Sequence, residues 1–574
     1  MTVSLTRRVD DLLAGAFVSA GLPSETARAS RASRPELADL QCNGVMPLAK
    51  ATGRNPREIA AEVATLLGAR PEFDEVSVAG PGFLNLRLSA AFLAECARAQ
   101  AADPAHVGIE QVESGLVMLD FGGPNVAKPL HVGHLRTLVI GESLRRILGA
   151  QGIRTLSDTH LGDWGLQMGM LLSEIRRRWP DLPPGSLPPL TEADLQVLYP
   201  QAAAACRADP ARMDAARAAT AALQAGDPEA RRVWSELRRI SLDAQMRDFA
   251  LLDAHFDLLL GESDVQKLIP DMIADLRARG IATLSEGALI VEVATAEEFR
   301  PMPPLLLAKS DGAALYATTD LATLLSRKRE YDPARIIYVV DQRQALHFEQ
   351  VFRAARRAGY VGGIELVHAG YGTVNGPDGK PYKTREGNVA QLADLLGDAI
   401  GRAAERLPET PPGLDREQLA RLVGLAAVKF ADLSSFRTSG YVFDAERMVS
   451  FEGRTGPYVQ YACVRIGSIL ARAEAQGAMP GAIAVVAPAE RALVLECARL
   501  PDAVASASRN LAPNEIADYV FALAQAFSRF YSECPVLAAS DDAERGSRIA
   551  LCGLTRMVLA KGLWLLGIAV PGRM

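Results

Sequence analysis

A chain of 574 residues can hold several domains, and with 49% hydrophobic and 23% charged residues it can build large cores, which excludes a disordered chain. A formal net charge of −6 argues against indiscriminate nucleic-acid binding but leaves a specific RNA partner open, because steering depends on where charge sits. There is no run of about 18 uninterrupted apolar residues and no signal-peptide core in the first ten, so a cytoplasmic protein without a membrane partner is expected. The seven cysteines (Cys42, Cys96, Cys206, Cys463, Cys497, Cys534, Cys552) lack C-x-x-C spacing and read as reduced thiols, with neither a disulfide frame nor a structural metal.

Residues 1–112 predict a separate α+β domain, with helices over 9–19 and 56–67 and a strand–turn–strand over 75–79 and 83–88. A folding or docking appendage is its plain reading. The apolar run 116–119 predicts a buried strand, followed by Asp120, Phe121 and a Gly122-Gly-Pro124 loop that cannot continue a ladder. Leu135, Leu138, Val139, Leu144 and Leu148 recur at helical spacing, so a helix begins at His134. Strand, loop and helix N-terminus put free N–H groups and the positive dipole end beside His131, Gly133, His134 and Lys128, an anion site suited to phosphate. Taken alone, a satisfied histidine pair at a helix start fits as well.

A second strand over 153–156 leads to Gly162, Trp164 and Gly165, where Trp164 offers a flat face to a base or, more simply, to the core. A helix over 166–178 follows. Prolines over 181–189 open an insertion of about 181–300, Ala- and Arg-rich at first, with apolar spacing returning over 233–252, 264–276 and 287–293. The second α/β half starts near Leu305. Residues 315–322 pass from a strand end into a helix with Thr318 or Thr319 as N-cap, and capping alone could account for Asp320. Residues 335–341 are a buried strand, and 342–344 open a helix carrying His347 and Phe352.

This describes a multidomain α/β protein with a doubly wound parallel, Rossmann-like catalytic sheet over 113–400. His131, His134, Asp320, Asp341 and Gln344 follow strand ends and should converge at its carboxyl edge. Lys380, Lys383 and Arg385, set among glycines, suit either a flap over a polyphosphate or a solvated turn. A helical connection over 401–455 and an all-α bundle over 456–574 complete the chain.

Pro124-Asn-Val-Ala-Lys128 with His131-Val-Gly-His134 resembles the signature segment of arginyl-tRNA synthetases, class I. Gly162–Gly165, Tyr316–Asp320, Tyr338–Asp341 with Arg343 and Gln344, Leu346–Phe348, Lys380–Arg385, Lys429–Leu433 and Phe451–Tyr458 resemble that family's segments in its order. Asn43-Gly44 and Gly80–Phe83 resemble its N-terminal domain, so the likeness spans nearly the whole chain.

The resemblance implies that L-arginine is activated with ATP, supplied as its Mg2+ complex, and passed to the terminal adenosine of tRNA-Arg by a monomer that does not bind DNA. By resemblance His131, Gly133, His134, Lys380 and Lys383 bind ATP, with the histidines, those lysines and Lys128 catalytic. Asp320 takes the guanidinium with Tyr316 and Gln344 alongside, while Asp120 and Asn125 hold the α-amino end and His134 touches the same substrate. Tyr458, Tyr461, Tyr531 and Met574 fall where the family contacts the anticodon, and the N-terminal domain grips the tRNA corner. Two departures stand out. The flap reads Lys-Pro-Tyr-Lys-Thr where class I enzymes have Lys-Met-Ser-Lys-Ser, with Lys128 as natural substitute, and the chain ends Gly-Arg-Met where the family usually has Glu-Arg-Met. Rival readings are another nucleotidylyl transferase with H-x-G-H, a different class I synthetase, or a tRNA-binding module without activity.

Overall fold

Val117–Asp120 is buried at all four positions, as a strand covered on both faces must be. This strand (β1) leads into helix α1 (Val132–Ala150), then strand β2 (Thr155–Asp158) and helix α2 (Leu166–Arg178). The computed structural model describes residues 4–184, 186–295, 298–308, 315–376, 378–382, 390–407, 413–539 and 541–574. The insertion folds as helices α3 (Glu192–Ala208), α4 (Pro210–Ala225) and α5 (Pro228–Leu251). Met168, Leu171 and Leu172 of α2 form a core with Leu195, Leu198, Leu223 and Leu237 from those helices.

Helix α6 (Ile269–Ala278) precedes three strands, β3 (Ala282–Ser285), β4 (Ala288–Val291) and β5 (Leu305–Ala308), which form a small antiparallel sheet in that order. Helix α7 (Tyr316–Glu330), strand β6 (Arg335–Tyr338), helix α8 (Ala345–Ala358) and strand β7 (Glu365–His368) return the chain to the parallel sheet, ordered β7-β6-β1-β2. The strands end in register, His368 beside Tyr338, Tyr338 beside Asp120 and Asp120 beside Asp158. A polar row thus closes the carboxyl edge.

Two expectations are corrected. The strand before Asp320, β5, belongs to the antiparallel sheet and not to the parallel one. Neither Thr318 nor Thr319 caps α7: the cap residue is Leu315, and the Thr318 hydroxyl, already inside the first turn, accepts from the Leu315 N–H at 3.3 Å while donating to the Leu307 carbonyl.

These elements, residues Glu113–Gly401 with Ser435–Ala445, make one compact unit, and Met1–Val112, Arg402–Ser434 and Glu446–Met574 make another. In the second, helices Leu5–Ser19 and Pro56–Gly68 accompany a four-stranded antiparallel sheet. The long helices Arg416–Leu433, Gly456–Ala475, Asn514–Glu533 and Asp542–Leu565 dominate the rest. All seven cysteines are free thiols, and six are buried. Among the described residues no helix is long and apolar enough to cross a membrane.

Candidate active site

The loop after β1 folds back on itself because Gly122 and Gly123 take positive φ, +91° and +47°, which a side chain would resist. The Gly122 N–H donates to the Thr137 hydroxyl (2.9 Å), which donates to the Val339 carbonyl (2.7 Å), tying loop, α1 and the end of β6 together. Asn125 then runs parallel to Gly162, with Val126 N–H donating to the Gly162 carbonyl at 3.0 Å. A Cβ on Gly162 would lie 2.3 Å from Asn125 Oδ1, so the glycine is what lets Asn125 sit there.

Helix α1 begins two residues earlier than its apolar spacing suggests, because His131 caps it. His131 Nδ1 accepts from the Gly133 N–H and His134 Nδ1 from the His131 N–H, each at 3.0 Å. A ring nitrogen that accepts an N–H carries no proton, so each neutral ring keeps its proton on Nε2 and presents a donor. The rings lie 4.1 Å apart, centroid to centroid. Burial, then neighbouring Lys128, lowers the His131 pKa, and burial with His131 brings His134 down to about 3. The pair is therefore a neutral donor set at a helix N-terminus, free of the repulsion that two imidazoliums would suffer. Lys128 stands 4.9 Å from the ring centroid of Tyr199, on α3.

Beyond the pair, Tyr371 links two loops: its hydroxyl donates to the Gly133 carbonyl (3.4 Å) and its own carbonyl accepts from Gln342 (3.0 Å). Asp341 accepts from the Arg343 N–H and guanidinium, fixing the turn that carries the exposed Gln344 into α8. On α8, His347 Nε2 meets Asp320 Oδ2 at 2.6 Å. Tyr316, first residue of α7, is 66% exposed. Electrostatically it feels Glu262, as does Asp320, and Glu262 itself is pushed up to about 7 by burial. Of the residues expected to take a guanidinium, Asp320 is thus bonded to His347, and Tyr316 and Asp320 both lie within the electrostatic reach of Glu262.

Asp120 is placed differently from a free substrate ligand. Its Oδ2 accepts from the buried Arg327 guanidinium at 2.6 Å, and Arg327 also reaches Asp158 (2.7 Å) and the Tyr338 hydroxyl (3.1 Å). Burial raises the Asp120 pKa against the pull of Arg327, whereas at Asp158 burial is outweighed by Arg327 and His160 and the pKa falls. Both ring nitrogens of His160 are buried and lack a hydrogen-bond partner among the described residues. Trp164 is core, edge-on to Trp234 at 5.1 Å.

Lys380 is exposed in a hairpin closed by Gly376 N–H to its carbonyl at 2.7 Å. Lys383 and Arg385 lie outside the described residues. Where the described chain resumes it pairs with the histidine loop, Val132 N–H to the Ala390 carbonyl and Leu392 N–H to the Leu130 carbonyl. Among the described residues no three His, Cys, Asp or Glu side chains are grouped to hold a metal ion.

In the other unit, Tyr458 and Tyr461 lie one turn apart on one helix. Arg465, one further turn along, stands 4.3 Å from the ring of Tyr531 on the helix Asn514–Glu533, and Tyr458 approaches Ser528 of that helix at 3.5 Å. Tyr461 is 45% exposed, so it is not bundle core. The Gly567 and Ala569 carbonyls accept from buried Lys429 (2.5 Å) and Gln460 (2.6 Å), which pins the tail leading to half-buried Met574.

Sequence reasoning missed Glu262, His160, His347 as a partner, Tyr199 and Arg327. His347 had a signal, its place in the first turn of a helix that follows a parallel strand. Glu262 and Arg327 had none, since each acquires meaning only from residues far along the chain.

A family model described as tRNA synthetases class I (R), catalytic domain, matches residues 100–445. Models described as DALR anticodon binding domain and Arginyl tRNA synthetase N terminal domain match residues 459–574 and 4–88. The chain is 48% identical over 588 residues to the arginine–tRNA ligase of Maricaulis maris and 45% identical over 587 residues to that of Hyphomonas neptunium, covering 100% of both chains in each case. The solved arginyl-tRNA synthetase of Thermus thermophilus is 27% identical, with a TM-score of 0.81 over 99% of this chain and 100% of that one. With the H-x-G-H segment at a helix start and full-length matches of this kind, the chain belongs to the arginyl-tRNA synthetases, the class I arginine–tRNA ligases.

Proposed function

We propose that this chain activates L-arginine with ATP and esterifies the terminal adenosine of tRNA-Arg, with the residues above in the following roles. The arginine carboxylate is already a nucleophile at neutral pH, so no tuned general base is required. One of its oxygens attacks the α-phosphorus of ATP, the bond to the bridging oxygen breaks, and pyrophosphate leaves. Catalysis is positioning and stabilisation of phosphate charge. His131 and His134 donate Nε2–H to phosphate oxygens beside the α1 N-terminus. Lys128, Lys380 and Lys383 neutralise the departing pyrophosphate, and Mg2+ enters with ATP as part of the substrate. In the second step the ribose 2′-hydroxyl of the terminal adenosine attacks the adenylate carbonyl, its proton passes to the departing phosphate, and AMP leaves.

Asp320 and Glu262 take the guanidinium with Tyr316 and Gln344, because a forked planar cation is matched by carboxylates that a point charge cannot engage equally. His347 holds Asp320 in place. Asn125 and Asp120 hold the α-ammonium, Asp120 while bound to Arg327. Tyr458, Tyr461, Tyr531 and Met574 offer stacking and tail contacts to anticodon bases, worth about 1–3 kcal/mol per stacked base, and the N-terminal region contacts the tRNA corner. A cytoplasmic monomer is the proposed state.

The observation that carries this reading is the commitment of both Nδ1 atoms to backbone N–H groups, which turns two imidazoles into outward donors. ATP–pyrophosphate exchange with arginine, lysine, canavanine and citrulline, with and without tRNA, is the test. Arginine-dependent exchange that citrulline fails to support is expected. Exchange driven equally by citrulline would remove the carboxylate pocket.

A further inference from the structure

The two poles of the arginine pocket are connected by one side chain. Asp320 and Arg327 are seven residues apart on α7 and therefore share a face, two turns or about 10 Å along the axis. The first turns of that helix carry Tyr316 and Asp320, while Arg327 reaches the last residues of three parallel strands, Tyr338, Asp120 and Asp158. Those residues stand in register across β6, β1 and β2. Arg327 is 2% exposed and Asp158 1% exposed.

A buried ion pair is a poor way merely to glue a helix to a sheet, since apolar residues of similar volume do that as well or better. What it supplies is a fixed distance and direction, because a planar fork with several donors can satisfy three acceptors in only one place. One guanidinium shared by two carboxylates also leaves one of them without a full counter-charge, and Asp120 lies at the expected α-amino pole. A substrate ammonium can supply the missing charge.

We propose that Arg327 is a positioning residue that sets the span between the α-amino pole at Asp120 and the guanidinium pole at Tyr316 and Asp320, so that the enzyme measures the length of its amino acid. This rests on the pocket assignment proposed above. Discrimination by charge and discrimination by length then have separate origins. Asp320 rejects a neutral side chain of the right length, and the Arg327 anchor rejects a cationic one of the wrong length.

The test is aminoacylation with tRNA present, comparing arginine, homoarginine (one methylene longer) and citrulline on wild type, Arg327→Lys and Asp158→Asn. In the wild type one methylene should be worth about 10- to 200-fold in kcat/KM. In Arg327→Lys that preference falls toward unity, the arginine KM rises, the ATP KM stays as it was, and citrulline remains excluded. Asp158→Asn, nearly isosteric, shifts the homoarginine preference in the same direction and decides the matter if the lysine variant does not fold. An unchanged arginine-to-homoarginine ratio in a folded variant, with kcat lowered for both alike, makes Arg327 purely structural and overturns the proposal. Failure of the pocket assignment would show separately, as an Asp320→Ala enzyme with a wild-type arginine KM.

Discussion

Each imidazole at the start of α1 has one nitrogen committed to the backbone and one offered outward, and that asymmetry governs how the site responds to pH and mutation. His134 titrates near 3 in the folded chain against 6.5 when unperturbed, so between these values the unfolded chain binds the extra proton. Stability is therefore complete above about pH 6.5 and declines as pH falls toward 3. His134→Gln should flatten that decline, as read by urea midpoints from pH 7 to 4, and should lower the rate of adenylate formation about 100- to 1,000-fold, the usual cost of one preorganised donor. A variant with the wild-type acid slope would mean that His134 is not held neutral. At the other pole burial holds Glu262 up at about 7, and a bound guanidinium requires the ionised form. The arginine KM should thus fall as pH rises through about 7, and Glu262→Gln should have a higher KM without that slope. Asp320→Ala should raise the arginine KM by roughly 30- to 4,000-fold, about 2–5 kcal/mol for stranding one side of a charge pair. The helix start at the histidines was legible from its glycines and apolar spacing, whereas the pocket roles of Asp320 and Gln344 came by resemblance alone. Glu262 was not legible, because a carboxylate after a glycine is ordinary until the fold sets it beside His160 and Asp320.

Helices α1 and α7 show how far periodicity reaches. The apolar positions of α1 locate its body, yet its first residue is decided by the His131 and His134 backbone bonds, a local contact between side chain and main chain that hydrophobic spacing does not register. The threonines in the first turn of α7 look like caps by composition, but Thr318 is drawn onto the Leu307 carbonyl, and that carbonyl belongs to a strand whose sheet the sequence does not specify. Short apolar strands such as β5 carry no mark of which sheet they join. The insertion helices, legible only as solvated Ala- and Arg-rich sequence, supply a side chain to the site: Tyr199 of α3 lies against Lys128. A cation–π contact at a partly exposed position is worth about 0.5–2 kcal/mol. Tyr199→Leu should therefore raise the ATP KM about 2- to 30-fold while leaving the arginine KM within error, and equal changes in both would assign Tyr199 to general folding instead.

At the scale of the molecule, the first and last stretches of the chain share one unit, and the joint between them is ionic. The Asp39 carboxylate, buried at the edge of the N-terminal sheet, accepts from the Leu88 N–H at 2.8 Å and from the Arg491 guanidinium, which also donates to the Leu88 carbonyl. Arg98 and Gln100 add bonds to the Ile483 and Cys497 carbonyls at 2.8 and 3.0 Å. Residues 39 and 491 are far apart in sequence, and no local pattern announces their meeting. Periodicity marks helices and strands within each stretch but does not say which stretches touch. The contact has an energetic consequence. In Arg491→Ala, Asp39 keeps its backbone donor and Arg87 at 3.5 Å but loses its nearer, forked counter-charge, so the loss falls below the roughly 3–5 kcal/mol of a buried carboxylate left wholly unpaired. Arg491→Lys restores charge but not the fork that serves both Asp39 and the Leu88 carbonyl, so it recovers only part. The expected result is faster amide exchange along Phe83–Leu88 and a raised tRNA KM in Arg491→Ala, intermediate values in Arg491→Lys, and arginine and ATP KM values unchanged in both. Amide protection at Leu88 equal to wild type in Arg491→Ala would show that the neutral contacts through Arg98 and Gln100 hold the joint without the ion pair.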